Sequence, residues 1–382
     1  MTKNLEDLRK GIDDIDDAIT DLFTKRMHLA LDVAKYKKEN NLPILNAKRE
    51  KEILERISEQ TEEAQEGYAR ILFNTIFDVS RSYQHLYITE LSGLQNRITK
   101  ALEETPQVFP SKAIVACQGI EGAYSQLACE KLFAFPSIMY FNSFEGVFTA
   151  VEKGLCQYGL LPIENSSYGS VGEVYDLMKN YKFHIARSVK LRVSHQLLAK
   201  PGTKLSDIKE IFSHEQALGQ CRDFLNSIKD VKITMCENTA VAAQMAAASD
   251  RNDIAAISAK NCAGLYGLDI IKDDIQISDN NYTRFICISK GLEIFPGASK
   301  VSLMLTLPHK PLSLYHTISK FSALGLNLTK LESRPIPGSD FEFMFYFDMD
   351  ASIYSPELVN LLCQLENEPD LFVFLGSYTE LI

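Results

Sequence analysis

A cation standing in an apolar helical stripe is the first sign of chemistry in this sequence. Leu5, Leu8, Ile12, Ile15, Ile19, Leu22, Leu29, Val33 and Tyr36 recur at steps of three and four, and Arg26 occupies the stripe where a leucine belongs. A buried guanidinium costs several kcal/mol unless it is paired. Arg26 therefore either bridges to a carboxylate, such as Asp21 or Glu39 of a partner helix, or holds an anion inside a helical bundle. Arg9, Lys37 and Arg49 add basic residues on the same and the following helix, each of which alone reads as part of a solvated face. Arg9 lies about 25 Å from Arg26 along one helical rod, so the two meet at one ligand only if a second chain runs antiparallel.

Three further stretches carry chemically capable residues. Gly119-x-x-Gly122 ahead of a predicted helix fits an anion site or simply a tight turn. Ser213-His214 pairs a nucleophile with a base, but adjacent residues rarely face each other and no catalytic dyad is expected. Thr283-Arg284-Phe285 closes a predicted strand series, where threonine is ordinarily a strand former. The eight cysteines show no C-x-x-C pair and no histidine pattern, so free thiols are expected rather than disulfides or a metal site.

These residues need three kinds of scaffold. Residues 5–36 form one proline-free helix roughly 50 Å long, which must project and bury its stripe elsewhere. Helices over 47–66 and 68 to about 97 follow, the last carrying Ile71, Leu72, Ile76, Val79 and Tyr83 on one side. Unequal helices leave the long one half uncovered, which a crossing homodimer or a larger homo-oligomer would solve. After a linker at 102–112, strands at 113–117, 158–163, 193–199, 232–236, 254–258 and 283–288 alternate with helices, giving α/β layers in two lobes with a cleft. A second linker, 290–300, leads to a βαββαβ order that predicts an α+β ferredoxin-like module, its middle strands joined at Pro337-Gly338. The expected multidomain organisation is thus 1–95 helical, 112–290 two-lobed α/β and 300–382 ferredoxin-like.

A net charge of -10 argues against nucleic acid or an anionic membrane as partner. No stretch approaches the 18 apolar residues of a membrane span, and the N-terminus lacks a signal-peptide core, so a cytoplasmic protein is expected.

Leu8-Arg9 with Ile12-Asp13, Lys25-Arg26, Val33-Ala34-Lys35-Tyr36-Lys37, Arg49-Glu50 and Ser80-Arg81-Ser82-Tyr83-Gln84 resemble the all-helical chorismate mutases. The resemblance implies that Arg26 and Arg49, with Arg9 of the other chain, bind substrate carboxylates. Lys37 and Gln84 would bind the ether oxygen, Glu50 the hydroxyl, and Ser80 would line the pocket. Asn46 stands where relatives usually carry aspartate. Gly119 to Ser125, Pro162-Ile163-Glu164-Asn165-Ser166, Ser213-His214 through Gln220-Cys221, Glu237-Asn238-Thr239 and Asn281 to Phe285 are similar, in order, to the prephenate dehydratases, whose fold is like that of two-lobed periplasmic binding proteins. That match implies Thr283 as the catalytic residue, Arg284 fixing carboxylates or the loop, and Asn165, Ser213, Gln220 and Glu237 lining the cleft. Leu331-Glu332-Ser333-Arg334-Pro335 resembles the regulatory ACT domain, with Leu312-Ser313-Leu314 where the family has Gly-Ala-Leu. Phenylalanine would bind there and inhibit.

The whole resembles bifunctional chorismate mutase/prephenate dehydratases. It implies substrates chorismate and prephenate, phenylalanine biosynthesis, and no metal or organic cofactor. The rival expectations are a non-catalytic aromatic-ligand sensor and a dehydratase with an inactive mutase domain.

Overall fold

The computed structural model describes residues 4–40, 42–88, 93–336, 342–367 and 371–382. Helix α1, Leu5–Glu39, starts at Asn4, whose side chain accepts from the Glu6 amide, and ends with Lys37 and Lys38 against its negative pole. Helix α2, Ala47–Gln60, is capped by Asn46, which accepts from the Arg49 amide at 3.0 Å. It ends a turn and a half before the expected boundary. Helix α3 is Glu66–Ile88, and a separate helix α4, Gly93–Glu104, replaces its expected extension to about Arg97.

The bundle core differs from the expected stripe. Met27, Ala30 and Ala34 of α1 pack against α3, where Phe77 is buried, whereas Ile71 and Leu72 are exposed. Small residues at 30 and 34 let the helices approach closely. Leu5, Leu8, Ile12, Ile15, Ile19 and Leu22 remain 46–64% exposed, and Leu29, Val33 and Tyr36 are also exposed. The apolar stripe is therefore real, but it faces away from its own bundle.

The remaining chain forms two sheets. The larger runs Asn327–Pro335, Phe343–Asp350, Lys300–Thr306, Phe372–Leu381, His184–Arg192, Tyr282–Ser289, Tyr158–Asn165, Lys112–Gln118 and Phe135–Phe141, with Gly169–Ser170 paired to Tyr158–Asn165. The smaller runs Asp269–Lys272, Gln196–Ala199, Ile254–Ser258, Glu210–Ser213 and Lys232–Met235. The smaller sheet is an insertion: the chain leaves the larger one after Arg192 and returns at Tyr282, giving two lobes joined by two crossing segments.

The C-terminal module has the expected βαββαβ order, with helices Ser313–Ala323 and Pro356–Glu366. Its Pro337-Gly338 turn and Phe341 lie outside the described residues. It is not a separate body: Phe372–Leu381 pairs in parallel with His184–Arg192, making one sheet of module and first lobe. One core likewise spans both, from Val147, Phe148 and Tyr175 to Met304, Tyr346 and Tyr378. The connecting segments are also packed, Phe109 meeting Phe295 edge-on at 4.9 Å. Helix α4 belongs to this half as well, since Leu94, Ile98 and Ala101 join the core beneath Pro356–Glu366. All eight cysteines are free, seven of them buried.

Candidate functional site

Two polar clusters stand apart. In the helical bundle, a cavity of about 260 Å³ is lined by Arg26, Lys37, Asn46, Arg49, Glu50, Ser80, Arg81 and Gln84, among others. Arg26 donates to the Ser80 hydroxyl, and its guanidinium lies 5.6 Å from the Phe77 ring centre. Burial pulls the Arg26 pKa below its usual value, partly offset by the Glu50 charge, and Lys37 behaves in the same way for the same two reasons. Cations made less comfortable by desolvation gain when an anion arrives. Lys37 donates to the Ile44 carbonyl, which folds the α1–α2 connection over the pocket. Gln84 is buried with an amide oxygen lacking a hydrogen-bond partner among the described residues, a polar group left for a ligand.

The structure thus gathers Arg26, Lys37, Arg49, Glu50, Ser80 and Gln84. Arg9 is not among them; it is exposed on α1. Arg81, quoted within a motif but given no role, is a further lining residue and donates to both Glu50 and Asp78.

The second cluster lies where the chain returns from the inserted lobe. Thr283 pairs across the sheet with Asn165. The Asn165 Oδ1 accepts from the Ser167 and Tyr168 amides, at 2.9 and 3.0 Å, which fixes its amide orientation. Its Nδ2 therefore donates to Thr283 Oγ1 at 2.9 Å and to Asn281 Oδ1 at 3.0 Å. Asn281 Nδ2 in turn donates to Gln220 Oε1 at 3.0 Å. That oxygen also lies 2.6 Å from His195 Nε2, which must then carry the proton. Burial pushes His195 below its usual pKa despite the opposing Gln220 bond. Because Thr283 Oγ1 accepts from Asn165, its own O–H is free to donate outward. Gln220 and Asn281 border an adjoining cavity of about 230 Å³ with Ser167, Tyr168 and Gln276.

Two of the expected site residues, Ser213 and Arg284, are placed otherwise. Ser213 is wholly buried and donates to the Ile257 carbonyl at 2.8 Å, a bond internal to the second lobe. Arg284 faces away from Thr283, because neighbours on a strand point to opposite faces. It is buried against Asp348, Glu380 and Tyr378 of the C-terminal module, so it fixes no substrate carboxylate. Glu237 is exposed, next to Asn238, which caps helix Thr239–Ala248. His214 accepts from the Gln216 amide and makes no pair with Ser213. Gly122, at φ 92°, is pressed against the second lobe, where a Cβ would stand 2.9 Å from Cys262 Sγ, so the glycine serves the lobe contact. Asn281 was within reach of the sequence, two residues before Thr283. His195 carried no signal, since a lone histidine near a strand does not reveal its partner.

The effector residues divide as well. Ser313 and Leu314 border a cavity of about 450 Å³ with Phe343 and Phe345. Glu332 accepts from Ser170 at 2.7 Å and Arg334 pairs with Asp176 at 2.8 Å, so both are engaged with the first lobe instead. Ser333 and Pro335 alternate with them on the exposed side of the same strand, and Leu312 stands at φ 70° just ahead of the helix.

An all-helical cationic pocket joined to a two-lobed α/β unit defines a two-site protein. Residues 8–85 match the family model for chorismate mutase type II, and residues 115–292 that for prephenate dehydratase. The bifunctional chorismate mutase/prephenate dehydratase of Escherichia coli K12 is 30% identical over 97% of this chain and 95% of its own length. Arogenate dehydratase/prephenate dehydratase 2 of Arabidopsis thaliana is 36% identical over 70% of this chain and 73% of its own. Among solved structures, a prephenate dehydratase from Arthrobacter aurescens in complex with L-Phe is 28% identical, with a TM-score of 0.64, covering 70% of this chain and 89% of that one. The chain belongs to the bifunctional chorismate mutase/prephenate dehydratase family.

Proposed function

We propose that the protein rearranges chorismate to prephenate in its helical domain, 1–95, and converts prephenate to phenylpyruvate in the α/β domain, 112–290. Both steps serve phenylalanine synthesis in the cytoplasm. A Claisen rearrangement needs no base or nucleophile, only a held conformer and stabilised charge on the breaking C–O bond. An enzyme removes at least about 8 kcal/mol from such a barrier, and one aimed donor supplies about 2.7 to 4. Several donors must act together, which is what Arg26, Lys37, Arg49 and Gln84 around one cavity provide. Arg9 would complete the site from a second copy, whose α1 would also cover the exposed apolar stripe.

In the second step the bond to the ring carboxylate breaks and releases carbon dioxide. Its electron pair completes the aromatic ring and expels hydroxide, which leaves as water on receiving a proton. Thr283 hydrogen-bonds the departing oxygen, and Asn165 aims it. Gln220 and Glu237 would border the bound prephenate. The Asn165–Thr283 pair carries this reading. Because an Arabidopsis relative is named for arogenate as well as prephenate, the test offers both. Phenylpyruvate from prephenate supports the proposal; turnover of arogenate alone reassigns the substrate, and turnover of neither, with prephenate bound, favours a sensor.

Residues 300–382 would form an ACT domain that binds phenylalanine near Leu312, Ser313 and Leu314. Its strand Asn327–Pro335, with Ser333 and Pro335, stands at the end of the sheet and would pair with a second copy. Inhibition by phenylalanine of prephenate turnover tests this directly.

A further inference from the structure

The helical bundle meets the C-terminal module through α3, and a line of polar side chains crosses there. Asp78 of α3 is only 8% exposed. Its Oδ1 accepts from Arg81, and its Oδ2 lies 2.5 Å from Nδ1 of His316 on helix Ser313–Ala323. The other arm of the Arg81 guanidinium donates to Glu50, in the wall of the helical pocket. Four side chains, His316, Asp78, Arg81 and Glu50, thus connect the two domains in series.

One further polar link is Gln364 Nε2 donating to the Ser82 carbonyl at 3.1 Å. Beside it lies a cavity of about 390 Å³ bordered by Met27, Val79, Leu324 and Leu361, so the boundary is incompletely filled. Glu50 also matters beyond its own contacts, since its charge acts on both Arg26 and Lys37. A planar guanidinium holding two carboxylates at once fixes direction as well as charge, which a lysine would not do.

We propose that Arg81 is a positioning residue for the rearrangement, orienting Glu50 in the pocket, and that His316 of the C-terminal module holds Arg81 in place through Asp78. This rests on the mutase reading. Both Arg81 arms are occupied by carboxylates, so it acts on the substrate through Glu50 rather than by contact.

The test uses the full chain and measures kcat and KM on chorismate, with prephenate turnover of the same preparation as the control for folding. His316→Ala should lower mutase kcat roughly three- to tenfold, within the lower half of the coupling found between residues in one network. KM should move less, and dehydratase turnover should hold. In an Arg81→Ala background, already slower, the same His316 change should do almost nothing. Arg81→Lys should recover little of the loss, because it cannot hold both carboxylates. Additive losses, or a parallel loss of both activities, would overturn the inference. A wild-type chain silent on chorismate would overturn the mutase reading and this inference together.

Discussion

Replacing Arg284 by methionine tests whether this buried cation is a structural bolt between the catalytic lobe and the C-terminal module. Its guanidinium contacts Asp348 Oδ2, lies 2.6 Å from Glu380 Oε2 and donates to the Tyr378 hydroxyl at 2.8 Å. Asp348 and Tyr378 are 0% exposed. Methionine fills most of the stem volume but leaves the carboxylates. Glu380 retains Lys190 at 3.1 Å, whereas Asp348 retains Ser302 and no cation among the described residues. Removing one partner of a buried pair costs about 3–5 kcal/mol. At about 2–4 °C per kcal/mol for units of 150–250 residues, the unfolding midpoint should fall by on the order of 10 °C. Circular dichroism melting measures it. Adding Asp348→Leu to Arg284→Met should recover most of the loss, because the stranded charge is gone. A single-variant loss below about 1 kcal/mol, or a double variant no better than the single, refutes the reasoning.

Asn165→Asp should impair prephenate turnover at least as badly as Asn165→Ala, about a hundredfold in kcat. A carboxylate can only accept, so it takes the Thr283 proton that should face the substrate; a wild-type rate in Asn165→Asp contradicts that assignment. Leu312→Gly should stabilise slightly, since a left-handed residue other than glycine costs roughly 1–2 kcal/mol and the added chain entropy of glycine takes back part of that. Thermal melting checks it, and clear destabilisation counts against the strain. Glu210, held by Lys232, Thr234 and Arg251, is lowered from 4.5 to about 2, so its contribution is present above pH 4.5 and lost as pH falls towards 2. The stability gap between wild type and Glu210→Gln should therefore be constant near neutrality and close across that window in urea titrations.

Much of this was legible because helix and strand periodicities survive in the sequence. The α1 stripe was visible, yet it marked the face turned from its own bundle, because the inner contact uses Met27, Ala30 and Ala34, too small and few to set a hydrophobic rhythm. Pocket residues on α1 to α3 were named through the resemblance to chorismate mutases, because spacing within each of three helices does not tell which faces meet. Thr283 and Asn165 could be named but not joined, because strand register appears only on folding. Strand His184–Arg192, interrupted by the charges of Arg187, Lys190 and Arg192, went unrecognised, and it is the strand that joins lobe and module. Arg284 and Ser213 were misplaced for a related reason: a motif gives proximity in sequence, whereas the pleat decides the face.

The most direct test of two chemistries on one chain is a pair of single substitutions assayed on both substrates. Arg26→Ala should abolish chorismate loss and leave prephenate turnover intact, whereas Thr283→Ala should do the reverse. Loss of both activities in either variant, or of neither in both, would contradict the account.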